Sequence, residues 1–239
     1  MSILDNVNAY NKNFKYEFDN DIMLRYYPKR IISKMKKGKL LELGLGHGYT
    51  IQEFLNHTDR YTIIDGSREV IDNFIKNNPD LAKKVDIIES FFENFETDEK
   101  YNYIVMGFVL EHVLDPDLIV SKFKRFLAKT GKLFITVPNA TSLHRQIGHH
   151  AKVLDDLKKL SESDLLLGHR RYFDINDLKK LAKNSNLNIV NIEGIFLKPF
   201  TTGQLMSLNL DDNAINGLLE VGKNYPELSN AIMMELSCG

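Results

Sequence analysis

The chain has 239 residues, 43% hydrophobic and 26% charged, which excludes a disordered or fibrous protein and allows one large domain with a sizeable core. Lysine and arginine total 31 against 32 acidic residues, so no overall field draws the protein to nucleic acid or to an anionic membrane. A single cysteine, Cys238, rules out an internal disulfide or a thiolate metal cluster. With no signal-peptide pattern and no apolar run of spanning length, a cytoplasmic protein without membrane partners is expected.

In chain order, Asp21 to Lys37 reads as a helix broken near Pro28 and forms part of an N-terminal cap over residues 1–37. Residues 38–138 alternate short apolar runs with segments of helical period, the pattern of strand, helix, strand units building a parallel sheet. The strands expected are Lys39 to Leu43, Arg60 to Asp65, Lys84 to Ile88, Tyr101 to Met106 and Lys132 to Val137. Helices are expected over Tyr49 to Asn56, Ser67 to Asn77 and Asp117 to Ala128, with Ser67 and Asp115 as caps. Residues 139–172, polar and helical in period, read as an insertion on the acceptor side. Residues 173–239 supply an amphipathic helix over Asp174 to Asn186, a strand over Asn188 to Leu197, a helical excursion and a final strand over Ala231 to Ser237.

The informative stretch is Leu40 to Thr50, LLELGLGHGYT, where Glu42 sits in a strand that runs into glycines at Gly44, Gly46 and Gly48. Glycines let the backbone turn tightly and approach a ligand closely. The dinucleotide fingerprint would need its third glycine at Tyr49, so the spacing argues against NAD. Asp65, at the end of the next strand and followed by Gly66, suits the two ribose hydroxyls of a nucleoside cofactor.

Taken with IESFF at Ile88 to Phe92, GFVLEHVLDP at Gly107 to Pro116 and GKLFITVPN at Gly131 to Asn139, the sequence resembles the class I S-adenosylmethionine-dependent methyltransferases. The resemblance implies a single α/β domain, with a doubly wound, mostly parallel, seven-stranded Rossmann-like sheet and helices on both faces. It implies that Gly44, Gly46 and Gly48 pack against S-adenosylmethionine, that Glu42 holds the loop and the cofactor's amino group, and that Asp65 and Gly66 meet the ribose. Ser90 and Phe91 would flank adenine, Met106 would lie beside the cofactor at the end of the fourth strand, and Arg25 would meet its carboxylate.

For the acceptor, His112 follows strand four at the carboxyl edge where open sheets bind ligands, and imidazole titrates near neutrality, which makes it the candidate general base. Tyr10 is a candidate lid residue that orients the acceptor. His144, His169, Arg170, Arg171 and Lys198 form a polar cluster whose arginine forks suit a carboxylate or phosphate, so a small anionic acceptor is expected. The segments SLHR and GHRRYF resemble those of methyltransferases in surface-polysaccharide pathways, which implies N-methylation of an amino alcohol phosphate or a nucleotide-linked aminosugar. The alternatives are O-methylation of a sugar or quinone-precursor hydroxyl, and a non-catalytic cofactor-binding partner protein. Adjacent His149 and His150 diverge on a helix, so no metal is expected. Family habit suggests a homodimer.

Overall fold

A computed structural model of the chain describes residues 17–46 and 48–238; Tyr10 lies outside them. Helix α1 (Glu17–Ile32) leads into β1 (Lys39–Leu43), α2 (Tyr49–Phe54), β2 (Arg60–Asp65), α3 (Arg68–Asn77), a short α4 (Pro79–Ala82) and β3 (Asp86–Glu89). Next come β4 (Tyr101–Gly107), α5 (Pro116–Lys124), β5 (Leu127–Pro138), α6 (Leu143–His150), α7 (Glu162–Leu166) and α8 (Ile175–Asn184). The chain ends with β6 (Asn188–Ile195), α9 (Thr202–Ser207), α10 (Asp212–Gly222) and β7 (Ala231–Ser237).

The strands form a seven-stranded sheet in the order β3-β2-β1-β4-β5-β7-β6. β1 to β5 pair in parallel, whereas β7 runs antiparallel to both of its neighbours. Apolar side chains leave the central strands on both faces, as helix-covered parallel strands require. Leu41, Leu43, Ile104 and Met106 enter a core with α5 and α8, while Leu40, Tyr103 and Val105 enter a second core with α1, α2 and α3. Strand order reverses between β1 and β4, so the loops leaving their carboxyl ends diverge and open a crevice there.

Both expected caps form: Ser67 accepts from the Val70 amide at 3.3 Å and Asp115 from the Leu118 amide at 3.0 Å. Several boundaries differ from the sequence expectation: the first helix ends at Ile32, not Lys37, and the fifth strand begins at Leu127, not Lys132. The helix expected to reach Ala128 ends at Lys124, because Leu127 already pairs with Tyr101 in the sheet. The third strand is shifted to Asp86–Glu89. Helix α1 runs through Pro28 without a break. A proline inside a helix costs about 3 kcal/mol, and burying Tyr27 and Ile31, each worth roughly 1.5–3 kcal/mol, offsets it.

Tyr27 also fixes how α1 sits on the sheet. A Cβ on Gly107 would lie 2.2 Å from the Tyr27 hydroxyl, so the end of β4 must be glycine for α1 to dock. Gly107→Ala is expected to destabilise the protein by about 1–3 kcal/mol through overpacking, a fall in Tm of roughly 2–12 °C by calorimetry. An unchanged Tm would mean that α1 can dock elsewhere.

Candidate active site

A cavity of about 840 Å³ opens at the carboxyl ends of β1, β2, β4 and β5, large enough for a nucleoside cofactor with a small acceptor. Its roof is the first half of α1 with Asp19, Met23 and Tyr27, together with residues from the α6 to α7 region and from the segment between β6 and α9.

One wall is the glycine loop. Gly44, Gly46 and Gly48 all have positive φ, at 84°, 50° and 70°. A Cβ on Gly48 would meet the Phe74 ring at 2.4 Å, whereas one on Gly46 would find nothing within 4 Å. Gly48 is therefore demanded by packing against α3, while Gly46 presents bare backbone to open space. Asp65 ties this loop to the next: its carboxylate accepts from the Leu45 and Ser67 amides, each at 2.8 Å. Burial pushes its pKa up and those two amides oppose the shift. Each carboxylate oxygen can accept a further hydrogen bond, which leaves capacity for ribose hydroxyls.

Glu42 lies beneath the loop, fully buried. It accepts from Thr50 Oγ1 at 3.0 Å, from the Tyr61 hydroxyl in a very short bond, and from the Tyr27 hydroxyl at 3.5 Å. Burial pushes its pKa up to about 7, against the pull of those three donors. Its carboxylate thus holds α1, α2 and β2 together under the cavity floor.

The other wall follows β4. Glu111 is fully buried, and neither carboxylate oxygen has a hydrogen-bond partner among the described residues. Burial raises its pKa to about 7. The His112 and His169 rings meet edge to face, with centroids 4.8 Å apart. Burial, then His169, pushes the His112 pKa down to about 4, so its ring is neutral at pH 7. His169 Nδ1 lies 3.3 Å from the Asp164 carboxylate. Asp164 is itself fixed by Ser161 through a capping box and by the Tyr172 hydroxyl at 3.1 Å.

On the α1 side, Lys198 makes a very short ion pair with Asp19, and Thr202 donates to the same Asp19 oxygen at 2.6 Å. Asp19 Oδ1 has no hydrogen-bond partner among the described residues. His144 is held neutral, its pKa pushed down to about 3 by burial and by Lys198 and Arg145.

The structure brings together in this cavity Glu42, the three loop glycines, Asp65 and Gly66, with Phe91, His112, His144, His169, Arg170 and Lys198. Four other expected residues lie elsewhere. Met106 points into the core shared with α5, because side chains alternate along β4 and it is the neighbouring Gly107 that faces the cavity. Ser90 lines a shallow depression at the sheet edge and donates to the Phe91 carbonyl at 3.0 Å. Arg25 pairs with Asp21 at 2.7 Å and covers the Tyr49 ring from outside. Arg171, half-buried, donates to the Leu114 carbonyl at 3.0 Å. Arg145, which does line the cavity, donates to the Leu157 and Lys159 carbonyls at 3.0 and 2.6 Å. The expected anion clamp thus shrinks to Arg170 at the rim and the paired Lys198. Sequence reasoning missed Asp19, Tyr27, Gly107 and Asp164 as site residues; only Asp164 had a signal, the Ser161 to Asp164 capping spacing.

The methyltransferase-domain family profile matches residues 15–192. The chain belongs to that family. The ubiquinone biosynthesis O-methyltransferase of Vibrio atlanticus is 22% identical over 200 residues, covering 82% of each chain. A tetrahydroprotoberberine N-methyltransferase described as probable in Papaver bracteatum is 26% identical over 130 residues, a stretch that spans 52% of this chain and 35% of that relative. Among solved structures, a S-adenosylmethionine-dependent methyltransferase from Thermotoga maritima superposes with a TM-score of 0.66 at 15% identity, covering 99% of this chain and 100% of that one. The protein is a class I S-adenosylmethionine-dependent methyltransferase with a Rossmann-like fold. The site fits that cofactor: bare backbone at Gly46, a carboxylate with acceptor capacity at Asp65 and an exposed aromatic face at Phe91 border one cavity. Among the described residues, no helix is long and apolar enough to cross a membrane.

Glu42 gives the site a pH signature. Its folded pKa of about 7 exceeds the ordinary value of 4.5, so between these values the folded state binds more protons than the unfolded one and stability falls as pH rises. Below pH 4.5 this contribution is fully present; above pH 7 it is lost. Glu42→Gln is expected to flatten this part of the Tm profile between pH 5 and 8; a variant with the wild-type slope would contradict the assignment.

Proposed function

We propose that the chain transfers a methyl group from S-adenosylmethionine to a hydroxyl of a small polar metabolite, a sugar or a quinone precursor. The observation that carries this reading is the cluster of buried Glu111 with the half-buried His112 and His169, gathered at the exit of β4 and lining the cavity. Methyl transfer to a hydroxyl needs the proton removed, and these are proton-accepting groups at the carboxyl edge of the sheet. The relatives matched over most of both chains are described as O-methyltransferases, which supports the same choice.

Bound S-adenosylmethionine supplies an electrophilic methyl on a sulfonium. Asp65 accepts from the ribose hydroxyls, the backbone of Gly44, Gly46 and Gly48 lies against the methionine and adenosine portions, and Phe91 covers adenine. The acceptor lies between that loop and the β4 cluster, and Arg170, whose Nε donates to the His112 carbonyl at 3.0 Å, can offer its remaining N–H groups to an anionic group at the rim. Holding nucleophile and methyl in line supplies the larger part of the acceleration, and removing the proton at the β4 cluster adds to it. An amine acceptor is the second reading, favoured by the unpartnered buried oxygen of Asp19 on the opposite wall, which suits an ammonium group.

The test is to incubate the protein with S-adenosylmethionine and a panel of matched hydroxyl and amine acceptors, and to assign the product by NMR. An O-methyl product is expected, with His112→Ala lowering kcat/KM by about 10²- to 10⁴-fold. An exclusively N-methyl product would overturn the hydroxyl reading in favour of the amine.

A further inference from the structure

The geometry points to a divalent transition-metal site formed by Glu111, His112 and His169, with open coordination positions facing the acceptor cavity. The inference rests on the hydroxyl reading for its role but not for its existence. One ligand atom from each of the three residues lies within 4.8 Å of the others. Two imidazoles and a carboxylate are a ligand set that holds zinc or a neighbouring first-row ion while leaving positions free. The sequence suggested no such site because the ligands come from the β4 exit and from the segment after α7, far apart in the chain.

Three features favour a cation over a merely structural cluster. First, Glu111 is fully buried, yet both of its oxygens lack a hydrogen-bond partner among the described residues. A buried carboxylate in that state calls for a proton, a counter-charge or a metal. Second, His169 Nδ1 faces the Asp164 carboxylate at 3.3 Å, so a carboxylate stands behind this ring as it does behind ligating histidines, although no hydrogen bond among the described residues satisfies that nitrogen. Third, Asp164 is held by Ser161 and Tyr172, so the carboxylate behind His169 is itself fixed. Ligands around one tetrahedral zinc stand roughly 3.3–3.5 Å apart, so a pair at the 4.8 Å limit closes by roughly 1.3–1.5 Å on binding, which side-chain rotation of Glu111 and the two rings can supply.

An ion here would serve the hydroxyl acceptor directly. A hydroxyl bound at an open position is both oriented and made more acidic by the cation, so His112 would act as an anchor for the ion.

The experiment uses the full chain without an affinity tag, stripped with a chelator and titrated with Co²⁺ by visible absorption and with Zn²⁺ by calorimetry. One equivalent of each ion is expected, with tetrahedral or five-coordinate cobalt bands that Zn²⁺ displaces. Affinity should fall by more than the roughly 10- to 100-fold typical of losing only an outer partner of a ligand in Glu111→Gln and His169→Ala, and stay unchanged in His150→Ala, an exposed histidine of α6. S-adenosylhomocysteine affinity, measured on the same samples, reports whether each variant is folded. No cobalt band and no stoichiometric zinc binding by a protein that binds S-adenosylhomocysteine would overturn the metal site and leave the methyltransferase reading intact. Binding undiminished in both folded variants would overturn it equally. Metal binding that follows the expected pattern in a protein that makes only N-methyl product would keep the site and remove its role toward a hydroxyl.

Discussion

The buried carboxylate of Glu42 is the interaction on which the rest of the site depends. It accepts hydrogen bonds from Tyr27 on α1, Thr50 on α2 and Tyr61 on β2, so three elements are positioned by one side chain under the cavity floor. A carboxylate in such a place costs desolvation energy, visible in its raised pKa, and the three hydroxyls offset part of it. The result is specificity of placement. The cap helix can meet the sheet in one orientation, with Tyr27 against Gly107 and its ring edge-on to Phe108 at 5.7 Å. That orientation brings Asp19 to Lys198 and closes the roof.

The cavity joins two walls of different origin. The cofactor wall is local: β1, its glycine loop, α2 and the end of β2 are contiguous in the chain, and Asp65 binds the loop back onto β2 through the Leu45 amide. The acceptor wall is assembled from the β4 exit, the segment between α6 and α8, and the residues after β6. Its charged groups are largely satisfied within the protein, as in Lys198 with Asp19 and Arg145 with two backbone carbonyls. Glu111, neither of whose oxygens has a hydrogen-bond partner among the described residues, is an exception, as is one oxygen of Asp19.

This division explains what the sequence could reveal. Strand runs such as KLLEL and RYTIID, the caps at Ser67 and Asp115, and the pattern of Glu42, three glycines and Asp65 depend on neighbours within a few residues, and they were legible. Met106 was misplaced because its face of β4 turns on strand parity at the sheet, where Gly107 takes the cavity side. Arg171 was misread for a different reason: a guanidinium's partner is set by tertiary structure, and here the Leu114 carbonyl takes it out of the expected anion clamp. Asp19, whose partner Lys198 lies 179 residues away, left no trace in local pattern. Glu111 could be seen in the sequence, but that its carboxylate finds no hydrogen-bond partner among the described residues could not.

The most direct measurement is a calorimetric titration of the full chain with S-adenosylhomocysteine, set beside NADH and repeated with Asp65→Ala. The account predicts stoichiometric binding of S-adenosylhomocysteine, none of NADH, and a loss of affinity of at least about 10-fold in a variant that remains folded, since a buried carboxylate accepting from the cofactor's hydroxyls would be gone. Binding of NADH in place of S-adenosylhomocysteine, or an Asp65→Ala variant that binds as tightly as the wild type, would contradict it.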